Sequence, residues 1–153
     1  MADRTGVLFV CLGNICRSPL AHALFVQKLS ERGLLDTFEV DSAGTAAYHA
    51  GEPPDPRTVE VLRKHGVRAL GTARQVVAAD FDRFDHILAM DQSNLRALQD
   101  LAPKGAAARV HRMLEPTRGG DVPDPYYGGD QGFEHVYTLI DGALEEWLAR
   151  WTP

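Results

Sequence analysis

Short apolar runs alternate with amphipathic stretches along this chain, and that alternation predicts strands followed by helices. Val7-Leu8-Phe9-Val10 is continuously apolar, the mark of a strand buried on both faces. A turn bearing Gly and Asn follows. Ser18-Pro19 then predicts a helix N-terminus, with the helix running to about Arg32 and stopping at Gly33. Phe38 to Ser42 alternates apolar and polar residues and breaks at Ala43-Gly44, a second strand. Thr45 to Pro54 reads as loop. Asp55-Pro56 predicts a capped helix that ends at Gly66, with Val59, Val61 and Leu62 as its apolar stripe. Phe84 to Met90 predicts a third strand, and Asp91 opens a helix carrying Leu95, Leu98 and Leu101. Arg109 to Leu114 is a weaker fourth strand. Glu115 to Gly132 holds three Pro and five Gly and predicts a long loop, a length that in a compact domain usually carries function. Phe133, Val136, Tyr137, Ile140, Leu144, Leu148 and Trp151 share one face of a final helix.

Four strand–helix repeats predict a single α/β domain over residues 1–153. Its expected core is a four-stranded parallel sheet with helices on both faces and right-handed crossovers. Ligands in such sheets sit beyond the carboxyl ends of the strands. The turns after Val10, Ser42 and Met90 and the loop after Leu114 all open on that edge.

Composition narrows the classes. Sixteen Lys and Arg against 21 Asp and Glu give a net charge of −5, which argues against a broad basic surface for nucleic acid. No apolar stretch nears the roughly 18 residues of a membrane span. The segment before Val7 lacks a signal-peptide pattern, so a cytoplasmic protein is expected. The two cysteines, Cys11 and Cys16, cannot make a disulfide scaffold, and their spacing has no second half for structural zinc. The remaining histidines show no ligand spacing. No metal and no cofactor are therefore expected.

The first strand-to-helix turn carries the strongest chemistry. Cys11-Leu12-Gly13-Asn14-Ile15-Cys16-Arg17-Ser18 is a cysteine, five residues, then Arg and Ser. With this composition, roughly 0.004 matches to that pattern arise by chance. Gly and Asn tolerate left-handed backbone angles, so successive N–H groups of Leu12 to Ser18 can converge on one anion. The helix N-terminus adds its positive end. Arg17 can grip two phosphate oxygens with its planar fork. The same positive field favours the anionic sulfur, which makes Cys11 a nucleophile for a pre-bound phosphoryl group, with Ser18 donating to the sulfur. A thiolate attacking a phosphate ester needs its leaving oxygen protonated. Asp124, in Asp124-Pro125-Tyr126-Tyr127-Gly128 of the long loop, can supply that proton, and the tyrosines can wall a slot for an aromatic ring.

These residues resemble the low-molecular-weight protein tyrosine phosphatase family, and the resemblance covers nearly the whole chain. It runs through Val7 to Ala21, Val40 to Gly44, Arg63 to Gly66, Ala73 to Gln75, Phe84 to Asn94 and Asp124 to Gly128. It implies a cysteinyl-phosphate intermediate and no metal. Cys11 becomes the nucleophile, Arg17 the phosphate clamp, and Asp124 the general acid and then base. Asn14, Ser18, Ser42 and His65 match positions that hold the loop by hydrogen bonds. Ile15, Tyr48, Tyr126 and Tyr127 match the rim around the phosphotyrosine ring. A thiol beside a reactive thiolate can trap its sulfenic acid as a disulfide, and the resemblance supports that protective role for Cys16 toward Cys11. The expected partners are phosphotyrosine-containing proteins, with inorganic phosphate and other oxyanions as competitors, no nucleic acid and no membrane, in a monomer or weak dimer. Rival readings on the same fold are an arsenate reductase and a phosphoarginine phosphatase. The thioredoxin-linked reductase uses three cysteines, and this chain has two. The phosphoarginine enzymes resemble a pattern with Thr at the position of Ile15 and no tyrosine rim. A non-enzymatic phosphate-binding module is the third rival.

Overall fold

A computed structural model describes residues 4–126, 128 and 130–153. Four strands form one parallel sheet: β1 (Thr5–Cys11), β2 (Phe38–Gly44), β3 (His86–Ala89) and β4 (Arg109–Arg112), in the order β2-β1-β3-β4. The helices are α1 (Arg17–Glu31), α2 (Pro56–Lys64), α3 (Asp80–Arg83), α4 (Gln92–Leu101) and α5 (Asp130–Trp151). This is the expected α/β domain, and alternation along β1 explains its two layers. Val7, Phe9 and Cys11 point into a core shared with α1, α2 and α5, whereas Leu8 and Val10 point to one shared with α3 and α4. With both faces covered, β1 is buried from Gly6 onward.

Most predicted elements form, and each difference has a physical cause. The helix after the first turn begins one residue before Ser18, with Cys16 at the cap position, and no side chain caps it. Ser18 turns its hydroxyl back onto the turn instead. Asp55 does cap α2, accepting from the Arg57 N–H at 2.8 Å, with Pro56 at its first position. Its buried positions are Thr58, Val61 and Leu62, while Val59 is exposed. Gly33 and Gly66 end their helices with φ of +68° and +74°. Asp91 caps α4 by accepting from Asn94 N–H at 2.7 Å. Only Leu98 of the expected α4 stripe is fully buried. The short α3, which buries Phe81 under the sheet, gives no periodic signal in four residues. Tertiary packing makes it. Just past β4, Trp147 of α5 donates its indole N–H to Met113 O at 2.8 Å and ties α5 to the sheet. Among the described residues no helix is long and apolar enough to cross a membrane.

The strand order reverses between β1 and β3. From β1 the chain moves to one side to make β2, then returns past β1 to make β3 and β4. Loops leaving β1 and β3 therefore diverge and leave a crevice beyond their carboxyl ends. The turn of Cys11 to Ser18 lies in it.

Candidate active site

The turn after β1 is held from outside through its carbonyls. Thr45 N–H donates to Cys11 O (2.9 Å), Ala46 N–H to Leu12 O (3.0 Å) and Asp55 N–H to Ile15 O (2.8 Å). Thr58 Oγ1 donates to Cys16 O at 3.3 Å. Among the described residues, no backbone N–H from Leu12 to Ser18 donates to a protein acceptor. Carbonyls bound outward and amide hydrogens left to the inside make a concave ring of donors at the N-terminus of α1.

Asn14 is what bends the ring. Its φ is +57°, the left-handed region that Asn tolerates better than most residues. Its side chain is buried with every polar end used: Nδ2 donates to Ser18 Oγ (2.7 Å) and Ser42 Oγ (3.1 Å), and Oδ1 accepts from Arg74 N–H (3.0 Å). Ser18 Oγ lies 3.0 Å from Cys11 Sγ. Because Ser18 Oγ accepts from Asn14, its own hydrogen is available to the sulfur. Arg17 is 2% exposed and aimed inward. Its Nη1 donates to Asp91 Oδ2 (2.7 Å) and Val122 O (2.9 Å), and Nη2 lies 3.6 Å from Asp124 Oδ2. Burial works against its charge, but Cys11, Asp91 and Asp124 more than offset this and hold the guanidinium above its usual range. Asp91 thus has two tasks, capping α4 with one oxygen and fixing Arg17 with the other.

A cleft of about 150 Å³ opens over this ring. Cys11, Leu12, Gly13, Ile15, Cys16 and Arg17 form its floor, and Tyr48, His49, Asp124 and Tyr126 its walls. Tyr48 is largely exposed at the rim. Asp124 accepts from Tyr126 N–H at 3.1 Å, which sets its carboxylate at the start of a turn. Tyr127 lies outside the described residues. Cys16 is buried at the floor, and burial, then Asp55 and the neighbouring Cys11, push its thiol up to about 12.

The chain as a whole matches the family model described as low molecular weight phosphotyrosine protein phosphatase over residues 6–152. A low molecular weight phosphotyrosine protein phosphatase of Schizosaccharomyces pombe is 48% identical over 146 residues, covering 92% of this chain and 94% of that one. The chain belongs to this family. A protein tyrosine phosphatase of Entamoeba histolytica, solved with Hepes in its active site, superposes with a TM-score of 0.92 at 37% identity, covering 96% of each chain. A drosophila arginine phosphatase superposes with a TM-score of 0.91 at 33% identity, covering 96% and 98%. The fold therefore accommodates the phosphoarginine reading, but the curated relatives carry the tyrosine phosphatase name at 43–48% identity, and neither that rival nor arsenate reduction is favoured. The chain is a hydrolase of the low molecular weight phosphatase family.

In this phosphatase one expected loop support is misplaced. His65 ends α2, stacks on Tyr137 at 3.8 Å and places Nε2 3.1 Å from Glu134. It makes no hydrogen bond to the turn among the described residues. The imidazole that reaches the network is His22, whose Nδ1 lies 3.2 Å from Ser42 Oγ. Burial pushes the His22 ring below the usual imidazole range, against the pull of Asp41. In the tautomer with its hydrogen on Nε2, a neutral ring can accept the Ser42 hydroxyl hydrogen at Nδ1 while Ser42 Oγ accepts from Asn14. The sequence signal was present: Ser18 and His22 are four residues apart, so one helix face carries both. His49 is the other unexpected wall, its Nδ1 held 2.9 Å from Glu52.

Gly44 is the tightest point of the site. Register pairs it with Cys11, and a Cβ there would stand 2.7 Å from Leu12 O and 2.9 Å from Ala46 O. Both are backbone atoms of segments that cannot swing aside. Gly44→Ala is therefore expected to displace the turn. It should cost about 1–3 kcal/mol of stability and lower aryl phosphatase kcat/KM more than tenfold. Thermal unfolding and steady-state kinetics check this, and a variant matching the parent in both would contradict the packing argument.

Proposed function

We propose that this phosphatase hydrolyses phosphotyrosine and other aryl phosphate monoesters in two steps, with Cys11 as nucleophile. The observation that carries the reading is the convergence of Cys11 Sγ, Ser18 Oγ, the inward-facing donors of Leu12 to Ser18, Arg17 and Asp124 on one cleft with aromatic walls. The dianionic phosphoryl group is held by the ring of N–H groups and by Arg17, whose orientation Asp91 and Val122 O fix beforehand. The Cys11 thiolate attacks phosphorus, the P–O bond to the phenol breaks, and Asp124 in its acid form protonates the leaving oxygen. In the second step Asp124 takes a proton from water, which attacks the cysteinyl phosphate. The sulfur leaves as thiolate, received by the Ser18 hydroxyl. Ile15, Tyr48 and Tyr126 form the rim that accepts the ring, and Asn14, Ser18 and Ser42 hold the turn. Since the chain is net negative and the substrate is an anion, binding comes from these short-range donors, so inorganic phosphate and similar oxyanions compete. The experiment is turnover of 4-nitrophenyl phosphate and a phosphotyrosine peptide by the parent and by Cys11→Ser. Turnover of phosphoarginine in preference to both would overturn the substrate class.

Cys16 has a protective role in the same reading. Peroxide oxidises the Cys11 thiolate to a sulfenic acid, releasing hydroxide. The Cys16 thiol condenses with it, losing water and forming a disulfide that an added thiol reduces. Burial, Asp55 and the neighbouring Cys11 push the Cys16 thiol up to about 12, which keeps it protonated while Cys11 is the anionic sulfur. After peroxide and then dithiothreitol, the parent should regain activity and Cys16→Ser should not. Equal recovery would remove this role.

A further inference from the structure

Arg57 has no part in the chemistry above, yet it touches the chain on the far side of Asp124, at Tyr126, Gly128 and Phe133. It stands in the first turn of α2, and Asp55 grips it at two points. Asp55 Oδ1 accepts from Arg57 Nε at 3.0 Å and Oδ2 from Nη2 at 3.0 Å, while Oδ1 also accepts the backbone N–H. A guanidinium held through two parallel bonds has a fixed plane. Its Cζ lies 4.6 Å from the centre of the Phe133 ring, in the first turn of α5, and 5.5 Å from the centre of the Tyr126 ring. The Nη1 group also reaches Gly128 O at 3.3 Å. One side chain therefore spans both ends of the segment that follows Asp124. The other side of the same helical turn is bonded to the nucleophile turn, through Asp55 N–H to Ile15 O and Thr58 Oγ1 to Cys16 O.

We infer that Arg57 is a positioning residue for proton donation: it fixes the Asp124 loop relative to the Cys11 turn through its clamp on Tyr126, Gly128 and Phe133. The inference rests on the reading of Asp124 as general acid. Asp124 itself is an exposed loop carboxylate that accepts from the Tyr126 N–H and faces Arg17 Nη2 at 3.6 Å. Its distance from the leaving oxygen therefore depends on where Tyr126 sits, and Arg57 is one of the groups that hold Tyr126. Asp55 is the anchor that prevents the guanidinium from following the loop instead of holding it.

Proton donation matters in proportion to how poor the leaving group is, so the test is leaving-group discrimination. Wild type, Arg57→Met, Arg57→Lys, Asp124→Ala and Arg57→Met/Asp124→Ala are compared on phenyl phosphate and 2,4-dinitrophenyl phosphate. The value read is kcat/KM, which reports the step that expels the phenol. Arg57→Met should lose about tenfold more on phenyl phosphate than on the dinitrophenyl ester. Its inhibition constant for inorganic phosphate should stay within about twofold of wild type, since the donors to phosphate are elsewhere. Arg57→Lys keeps a cation near both rings but loses the fork, and should fall between. In the double variant, Arg57→Met should add no further discrimination to Asp124→Ala, because both act on one proton transfer. Equal losses on the two esters, or additive discrimination in the double variant, overturn the role of Arg57. Absence of discrimination in Asp124→Ala alone overturns the general-acid reading itself, which is a different result. If Arg57→Met proves unfolded by circular dichroism, the Lys variant decides the matter on the same ratio.

Discussion

Cys11→Ser is expected to bind inorganic phosphate nearly as well as the parent and to turn over no aryl phosphate above about 10⁻⁴ of the parental rate, a bound well inside the loss of about 10⁶ that removal of a covalent nucleophile causes elsewhere. The physical reason is that phosphate binding and attack use different groups. The donors are the amide hydrogens of the turn and Arg17, and none of them is altered. Cys11 is 2% exposed, and serine is the smaller residue, so the turn loses little packing. An alcohol, however, is a far weaker nucleophile than a thiolate at neutral pH unless a base removes its proton. The partner in contact with this position is Ser18, a hydroxyl and not a base. Phosphate affinity by calorimetry and turnover of 4-nitrophenyl phosphate separate the two properties. A serine variant within tenfold of the parent would exclude a cysteinyl phosphate.

Arg17→Lys should be nearly as damaging, although it keeps the charge. The guanidinium is buried and reaches three directions, to Asp91, to Val122 O and toward Asp124. A single ammonium cannot reproduce that fork or present two parallel hydrogens to phosphate. One of Asp91 and Val122 O then loses its partner, at about 1–3 kcal/mol for an unpaired buried group. Loss of an aligned donor to the phosphoryl oxygens should lower kcat/KM by about 10²–10³. Kinetics, phosphate affinity and thermal unfolding check the three parts. A lysine variant within tenfold of the parent would mean that charge alone, without the planar geometry, suffices.

The active site was legible where its signals are local. A strand end, a turn with Gly and Asn, and a helix start lie within twelve residues, and chain geometry alone brings Cys11 and Arg17 to one cleft. Asp124 was legible because a long Pro- and Gly-rich loop leaves the same sheet edge. The histidine was misassigned for the opposite reason. His65 sits beside a helix-ending Gly, and nothing nearby in sequence tells that it faces α5. Recognising His22 required knowing that Ser42, twenty residues later, lies beside α1.

By itself the sequence determined the layered α/β architecture and the placement of the first turn at a helix N-terminus, since both follow from periodicity and short-range backbone geometry. Only the tertiary structure decided which distant groups hold that turn in place. Asp91 meets Arg17 because β3 pairs with β1, and Gly44 closes on the turn because β2 pairs on the other side. Arg57 reaches Tyr126 and Phe133 because α2 packs on α5. Such pairings are set by burial of whole faces, and no residue's local sequence specifies its partner across the sheet.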